Sequence, residues 1–243
     1  IGLFLIAFTS CENDSAVSPN MAPNPTGQGG SMARFTVIND FLYVVDNYKL
    51  NSFSITDPMA PELVETSTIG WDVETIFAMR NMLFIGTATG MHIYEINEEG
   101  IPEYVSLYEH VLSCDPVVAQ DTLAYVTLRS ETNCRGVNRL DILDISDIAD
   151  PKLLHSKDML NPHGLGISDS LLFITEGDHG LKVFDVNTPN DLEQIAFFSD
   201  IKAFDVIPNS NILIVTGADG IRQYDYSDPT DIKLLSTIPV EVE

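Results

Sequence analysis

The chain has 243 residues, 44% of them hydrophobic and 20% charged, which is enough for one substantial domain with a buried core and too apolar for a disordered chain. Thirty-six acidic residues face twelve basic ones, a formal charge of -24 at pH 7. A surface that negative repels nucleic-acid phosphates and anionic headgroups, so direct binding to either is not expected.

Ile1 to Phe8 (IGLFLIAF) is an uncharged apolar run, too short to span a bilayer but suited to the h-region of a signal peptide. No initiator methionine or basic n-region precedes it, so the segment reads as clipped at its start. Thr9, Ser10 and Cys11 follow directly, and Phe8-Thr9-Ser10-Cys11 resembles a lipobox, which implies lipid on the Cys11 thiol. Cys11-Glu12-Asn13-Asp14-Ser15 is similar in part to the surface-export signal of Bacteroidetes lipoproteins. That resemblance implies an outer-membrane anchor and leaves open whether the protein faces the cell surface or the periplasm. The lipid is then the only membrane contact. Residues 12–30 are rich in Pro, Asn, Ser and Gly and cannot bury enough apolar surface to offset their ordering entropy. They read as a flexible tether between the signal segment (1–11) and a domain spanning 31–243, with a coil span on the order of 25 Å.

The domain is an internal repeat. Apolar runs beginning at Phe41, Met82, Thr122, Leu171 and Ile212 lie 41, 40, 49 and 41 residues apart. Each is followed by a turn and a second run, at Leu50–Ile55, Met91–Ile96, Leu140–Ile145, Leu181–Val186 and Ile221–Tyr226. Gly90, Gly180 and Gly220 stand before three of these second runs, where hairpins demand positive φ. Turn chemistry comes next (Thr56-Asp57-Pro58, Ser146-Asp147, Asn187-Thr188-Pro189, Ser227-Asp228-Pro229), then a short β-rich segment. A further strand precedes each unit, at Phe35–Ile38, Thr75–Met79, Pro116–Ala119, Gly164–Ile167 and Phe204–Ile207. Four strands in about 41 residues, without helical periodicity, make a propeller blade. The pattern predicts an all-β, five-bladed β-propeller with four antiparallel strands per blade. No strand is swapped to lock the ring, so closure is expected from blade five packing on blade one, with a sixth blade or an open array as alternatives.

Leu181–Pro189 (LKVFDVNTP) and Ile221–Pro229 (IRQYDYSDP) resemble the LVIVD repeat, a propeller-forming repeat of bacterial secreted proteins, and the resemblance covers residues 31 to 238. Unit two departs from it, with Asn97-Glu98-Glu99-Gly100 in place of the Ser-Asp-Pro turn, and unit three carries an eight-residue insertion. The resemblance implies architecture and location; the family has no common activity to carry over.

Beyond Cys11, Cys114 and Cys134 form an even pair in an oxidising compartment. Cys114 precedes the innermost strand of blade three, and Cys134 lies in that blade's enlarged loop (Arg129 to Arg139) on the same face. A disulfide would pin that loop, worth roughly 3 kcal/mol for a closure of about 20 residues; a metal pair or a reactive thiol are the alternatives. Equivalent positions entering the innermost strands hold Arg34, Glu74, Asp115, His163 and Asp205, a candidate polar ring at the channel mouth. Such positions are also polar simply because they are wet. His163 sits in Asn161-Pro162-His163-Gly164, a constrained turn that could aim a general base, a metal ligand or a structural hydrogen bond. Arg129, Arg135 and Arg139 gather basic charge in the long loop, where an anionic group of a partner would be steered.

No nucleophile elbow, phosphate-binding loop, zinc-protease helix, dinucleotide fingerprint or calcium loop occurs, so no cofactor and no metal is expected. The expected function is a non-catalytic, lipid-anchored binding module of the cell envelope, its protein or glycan partner unidentified. A hydrolase- or lyase-like enzyme with its site at the channel mouth, and an accessory subunit of an outer-membrane complex, are the alternatives.

Overall fold

In the computed structural model, which describes residues 30–110, 116–130 and 137–240, twenty strands form five four-stranded antiparallel sheets. Blade one holds β1 (Phe35–Ile38), β2 (Phe41–Val45), β3 (Lys49–Ser54) and β4 (Glu62–Thr68). Blade two holds β5 (Val73–Met79), β6 (Met82–Thr87), β7 (Gly90–Ile96) and β8 (Pro102–Glu109). Blade three holds β9 (Val117–Gln120), β10 (Leu123–Leu128), β11 (Arg139–Asp144) and β12 (Lys152–Asp158). Blade four holds β13 (Leu165–Ser168), β14 (Leu171–Thr175), β15 (Leu181–Asp185) and β16 (Glu193–Phe198). Blade five holds β17 (Asp205–Asn209), β18 (Ile212–Gly217), β19 (Gly220–Asp225) and β20 (Lys233–Ile238). The chain is a five-bladed β-propeller. From blade one to blade five, the first strand of each blade lies against the first strand of the next.

Local chemistry repeats from blade to blade. Asn39, Arg80, Asp121, Asp169 and Ser210 each open the tight turn between first and second strands with a left-handed backbone. All five blades shift register by a bulge at the same place, where the third strand meets the fourth, as at Ser52/Phe53 and Gln223/Tyr224. Such a bulge increases the local twist of the outer edge. The Asp57, Asp147 and Asp228 carboxylates each accept the backbone N–H two residues on, closing the turns after the third strands. Gly180 and Gly220 have positive φ as expected, but Gly90 does not. Glycine is required at residue 90 for a different reason: a Cβ there would lie 2.5 Å from the Tyr108 carbonyl oxygen.

The core sits between blades. Tyr43, Val45 and Leu50 of blade one pack on Ile76, Leu83 and Ile85 of blade two, and comparable clusters join two to three, three to four and four to five. Buried β-sheet faces on both sides explain why β6 and β14 read as unbroken apolar runs. Cross-blade hydrogen bonds accompany each cluster: Tyr43 to the Gly100 carbonyl, Ser106 to the Ile148 carbonyl, Gln120 to the Asp169 carbonyl and Tyr226 to Ser168.

Between blade five and blade one the pattern stops. Among the described residues no hydrophobic cluster joins them. Leu42 and Val44, which occupy the places of Leu83 and Ile85, are only half-buried, as are Ile212 and Ile214, which occupy the places of Leu171 and Phe173. Among the described residues, then, no hydrophobic packing of blade five on blade one closes the ring. The leading segment Gly30–Arg34 bridges the blades instead. The Ser31 hydroxyl, fully buried, accepts the Leu165 N–H of blade four at 2.7 Å. Gly30 lies so close to Asp205 of blade five that a Cβ would strike its carboxylate, and Ile76 of blade two donates to the Ala33 carbonyl at 2.9 Å.

Candidate functional site at the channel mouth

The loops entering the first strands and those joining second to third strands emerge on one face, so Arg34, Glu74, His163 and Asp205 share the channel mouth. Asp115, Cys114, Cys134 and Cys11 lie outside the described residues, and so does the pairing of the two mouth cysteines. The structure brings His163 and Arg129 together. The Arg129 guanidinium donates to His163 Nδ1, and the Asn161 carboxamide lies 3.2 Å from Nε2. An imidazole that accepts at Nδ1 from the guanidinium carries its proton on Nε2. Burial, then the neighbouring guanidinium, holds the His163 pKa down at about 4, and the ring is neutral at physiological pH.

The chain around His163 is fixed from several sides. Its N–H donates to the Thr175 carbonyl at 2.7 Å and its carbonyl accepts from the Thr127 hydroxyl at 3.0 Å. Phe204 packs on the ring with centroids 5.3 Å apart. Gly177 runs beneath it with positive φ, where a Cβ would meet Nε2 at 2.7 Å. Below the turn lies a carboxylate that sequence reasoning missed. Glu176, fully buried, accepts the Leu160 N–H at 2.7 Å and pairs with Lys182 Nζ at 2.6 Å. Its position one residue after an apolar strand gives no sequence signal, because nothing local shows that Lys182 faces it.

Arg34 and Glu74 meet through the backbone. Arg34 donates from Nε to the Glu74 carbonyl, from Nη2 to the Val73 carbonyl at 2.6 Å and from Nη1 to Asn47 Oδ1 at 3.0 Å. It staples the β2–β3 turn of blade one to blade two, while Glu74 is the extra residue of a bulge in β5. Asp205 opens β17 between Gly30 and Gly164, each of which would place a Cβ 2.2 Å from its carboxylate oxygens. Burial raises its pKa to about 6 against the opposing pull of the Val206 N–H. Of the four described positions, Arg34 ties blade one to blade two, and His163 ties blade four to blade three through Arg129 and Thr127. Of the expected basic cluster, Arg129 is held by His163 and Arg139 pairs with the fully buried Asp141 at 2.8 Å, while Arg135 lies outside the described residues.

The same face carries an aromatic pair. Trp71, in the β4–β5 connection, is 78% exposed and meets Tyr48 of the β2–β3 turn edge-on, centroids 5.5 Å apart. Its signal in the sequence was a sole tryptophan in a connection rather than a strand.

No family model matches the chain. No curated protein matches it either. Solved structures do. A functionally unknown protein from Desulfotomaculum acetoxidans superposes with a TM-score of 0.68 at 17% identity, over 84% of this chain and 67% of that one. A protein from Lactobacillus plantarum gives 0.65 at 15% identity, over 84% and 74%. The periplasmic gluconolactonase of Pseudomonas aeruginosa gives 0.64 at 14% identity, over 83% and 68%. At these identities the likeness is one of fold.

Proposed function

We propose that the chain is a lipid-anchored binding module of the cell envelope, built on LVIVD-like repeats, held to the outer membrane through Cys11, and presenting its channel-mouth face to a partner without catalysis of its own. The observation that carries this reading is how the mouth's functional groups are spent. His163 is neutral with its Nδ1 lone pair occupied by Arg129, and Arg34 gives its donors to the neighbouring blade. Groups fixed in this way offer a rigid surface, which lowers the entropy cost of recognition. One observation favours an enzyme instead: Asp205, at about 6, exchanges its proton close to physiological pH.

Capture of envelope partners from detergent extracts tests the face. His163→Ala with Arg129→Ala is expected to abolish capture, and Asp57→Ala with Asp228→Ala on the opposite face to leave it intact. The reverse pattern moves the site to the other face. Cys11→Ser is expected to release the protein from the membrane fraction; unchanged fractionation removes the anchor from this reading.

A further inference from the structure

We infer that Trp71 and Tyr48 form a stacking corner for the ring of a neutral sugar, giving the mouth face its ligand class. Trp71 is the only tryptophan of the chain, and the fold leaves it in water although the blade junctions bury large aromatics elsewhere. Tyr48 is 47% exposed, and the two rings stand at 85° to each other. Such a pair presents one aromatic floor and one wall.

The corner is built, not loose. Ile69 donates to the Tyr48 carbonyl at 2.9 Å and Val73 to the Asn47 carbonyl at 3.1 Å, so the two loops that carry the rings are bonded to each other. Asp46 Oδ1 accepts the N–H groups of Tyr48 and Lys49, each at 2.8 Å, and the Arg34 staple locks Asn47 against blade two. Asp72 holds its left-handed backbone with its carbonyl accepting the Ala88 N–H. Rings positioned in advance lose little freedom when a ligand arrives.

The chemistry selects the ligand. The face of an aromatic ring is electron-rich and takes the positive edges of C–H bonds. A pyranose has such a C–H face and a rim of hydroxyls. Asp72 and Asn47 adjoin Trp71 and Tyr48 in the chain and carry planar polar groups of the kind that pair with hydroxyls; Asn47 Oδ1 is held by Arg34, and no hydrogen bond of the described residues uses the Asp72 carboxylate. A charge of -24 disfavours anionic glycans. A quaternary ammonium would find only two aromatic walls where recognition calls for a cage.

This inference takes up the mouth-face reading but rests on a different part of it. Because Trp71 is the sole tryptophan, its fluorescence reports on the site directly. Titration with neutral oligosaccharides (cellohexaose, maltohexaose, mannohexaose) is expected to shift its emission to the blue, saturably, with at least one of them. Tyr48→Ala is expected to weaken that binding at least about tenfold, a loss typical of an aromatic anchor, and Asp72→Asn by less. Trp71→Ala, read by calorimetry, is expected to abolish it, while Asp57→Ala on the opposite face leaves it unchanged. No response to any neutral sugar, a response only to choline or to a polyuronate, or full affinity in Trp71→Ala overturns the inference. Sugar binding at Trp71 together with partner capture mapped to the opposite face would overturn the mouth-face reading and leave this one standing.

Discussion

Blade two and blade five are built from the same repeat and differ in what covers them. In β6 every residue is buried, because Leu83 and Ile85 meet blade one while Met82 and Phe84 meet blade three. In β18 burial alternates: Leu213 and Val215 are buried against blade four, while Ile212 and Ile214 stay half-exposed on the side toward blade one. Blade one mirrors this, with Tyr43 and Val45 buried and Leu42 and Val44 half-exposed. The repeat supplies each blade with two apolar faces. A face becomes core only when a neighbouring blade covers it, so stability is expected to fall unevenly around the ring.

The adjacent residues Leu213 and Ile214 test that contrast most strongly. Leu213→Ala opens a cavity in a packed junction and is expected to cost about 2–5 kcal/mol by urea unfolding. Ile214→Ala removes a similar volume from a half-exposed face and is expected to cost less than about 1.5 kcal/mol. Equal losses would mean that blades five and one are packed together in solution. A smaller effect concerns the segment that bridges the ring. Ser31→Ala leaves the buried Leu165 N–H without its acceptor, an expected cost of about 1–3 kcal/mol. Faster hydrogen exchange at Leu165 should accompany it, and unchanged exchange would deny the bridge any part in holding blade four.

The smallest effect is a pair of opposed pH dependences. Asp205 keeps its proton to about pH 6 in the fold, whereas the unfolded chain releases it near 3.8, so its contribution is full below the lower value and lost as pH rises through the upper. His163 stays neutral down to about pH 4 in the fold, whereas the unfolded chain protonates it near 6.5, so its contribution is full above 6.5 and lost as pH falls toward 4. With both present the slopes nearly cancel between pH 4 and 6. Asp205→Asn is expected to make the protein less stable on acidification from pH 6.5, and His163→Gln to make it less stable as pH rises from 4 to 6. Each trend is of order 1–2 kcal/mol after solvent screening. Parallel slopes in the two variants would contradict the assigned environments.

Strands and turns were legible because their causes are local. The apolar runs and the turns at Asp57 and Asp228 after third strands act within a few residues of themselves, and they recur at a fixed period. Gly90 was misread because a glycine set by a close approach looks the same in sequence as one set by positive φ. The contacts made by Arg34, Glu74, His163 and Asp205 were not legible. Whether Arg34 faces a channel or staples Asn47 to Val73 depends on a contact nearly forty residues away in the chain. Glu176, Asp141 and the Trp71–Tyr48 corner went unseen for the same reason.

By itself, then, the amino-acid sequence determined the number of blades, their four-stranded form and the face on which the candidate residues emerge, since period-two patterning and turn chemistry operate over short stretches of chain. Only the tertiary structure decided which apolar faces are covered, how Gly30–Arg34 bridges the blades, and which mouth groups are spent on neighbours. Those outcomes depend on how far one blade turns relative to the next and on side chains meeting across blades, and neither quantity is written in any single repeat.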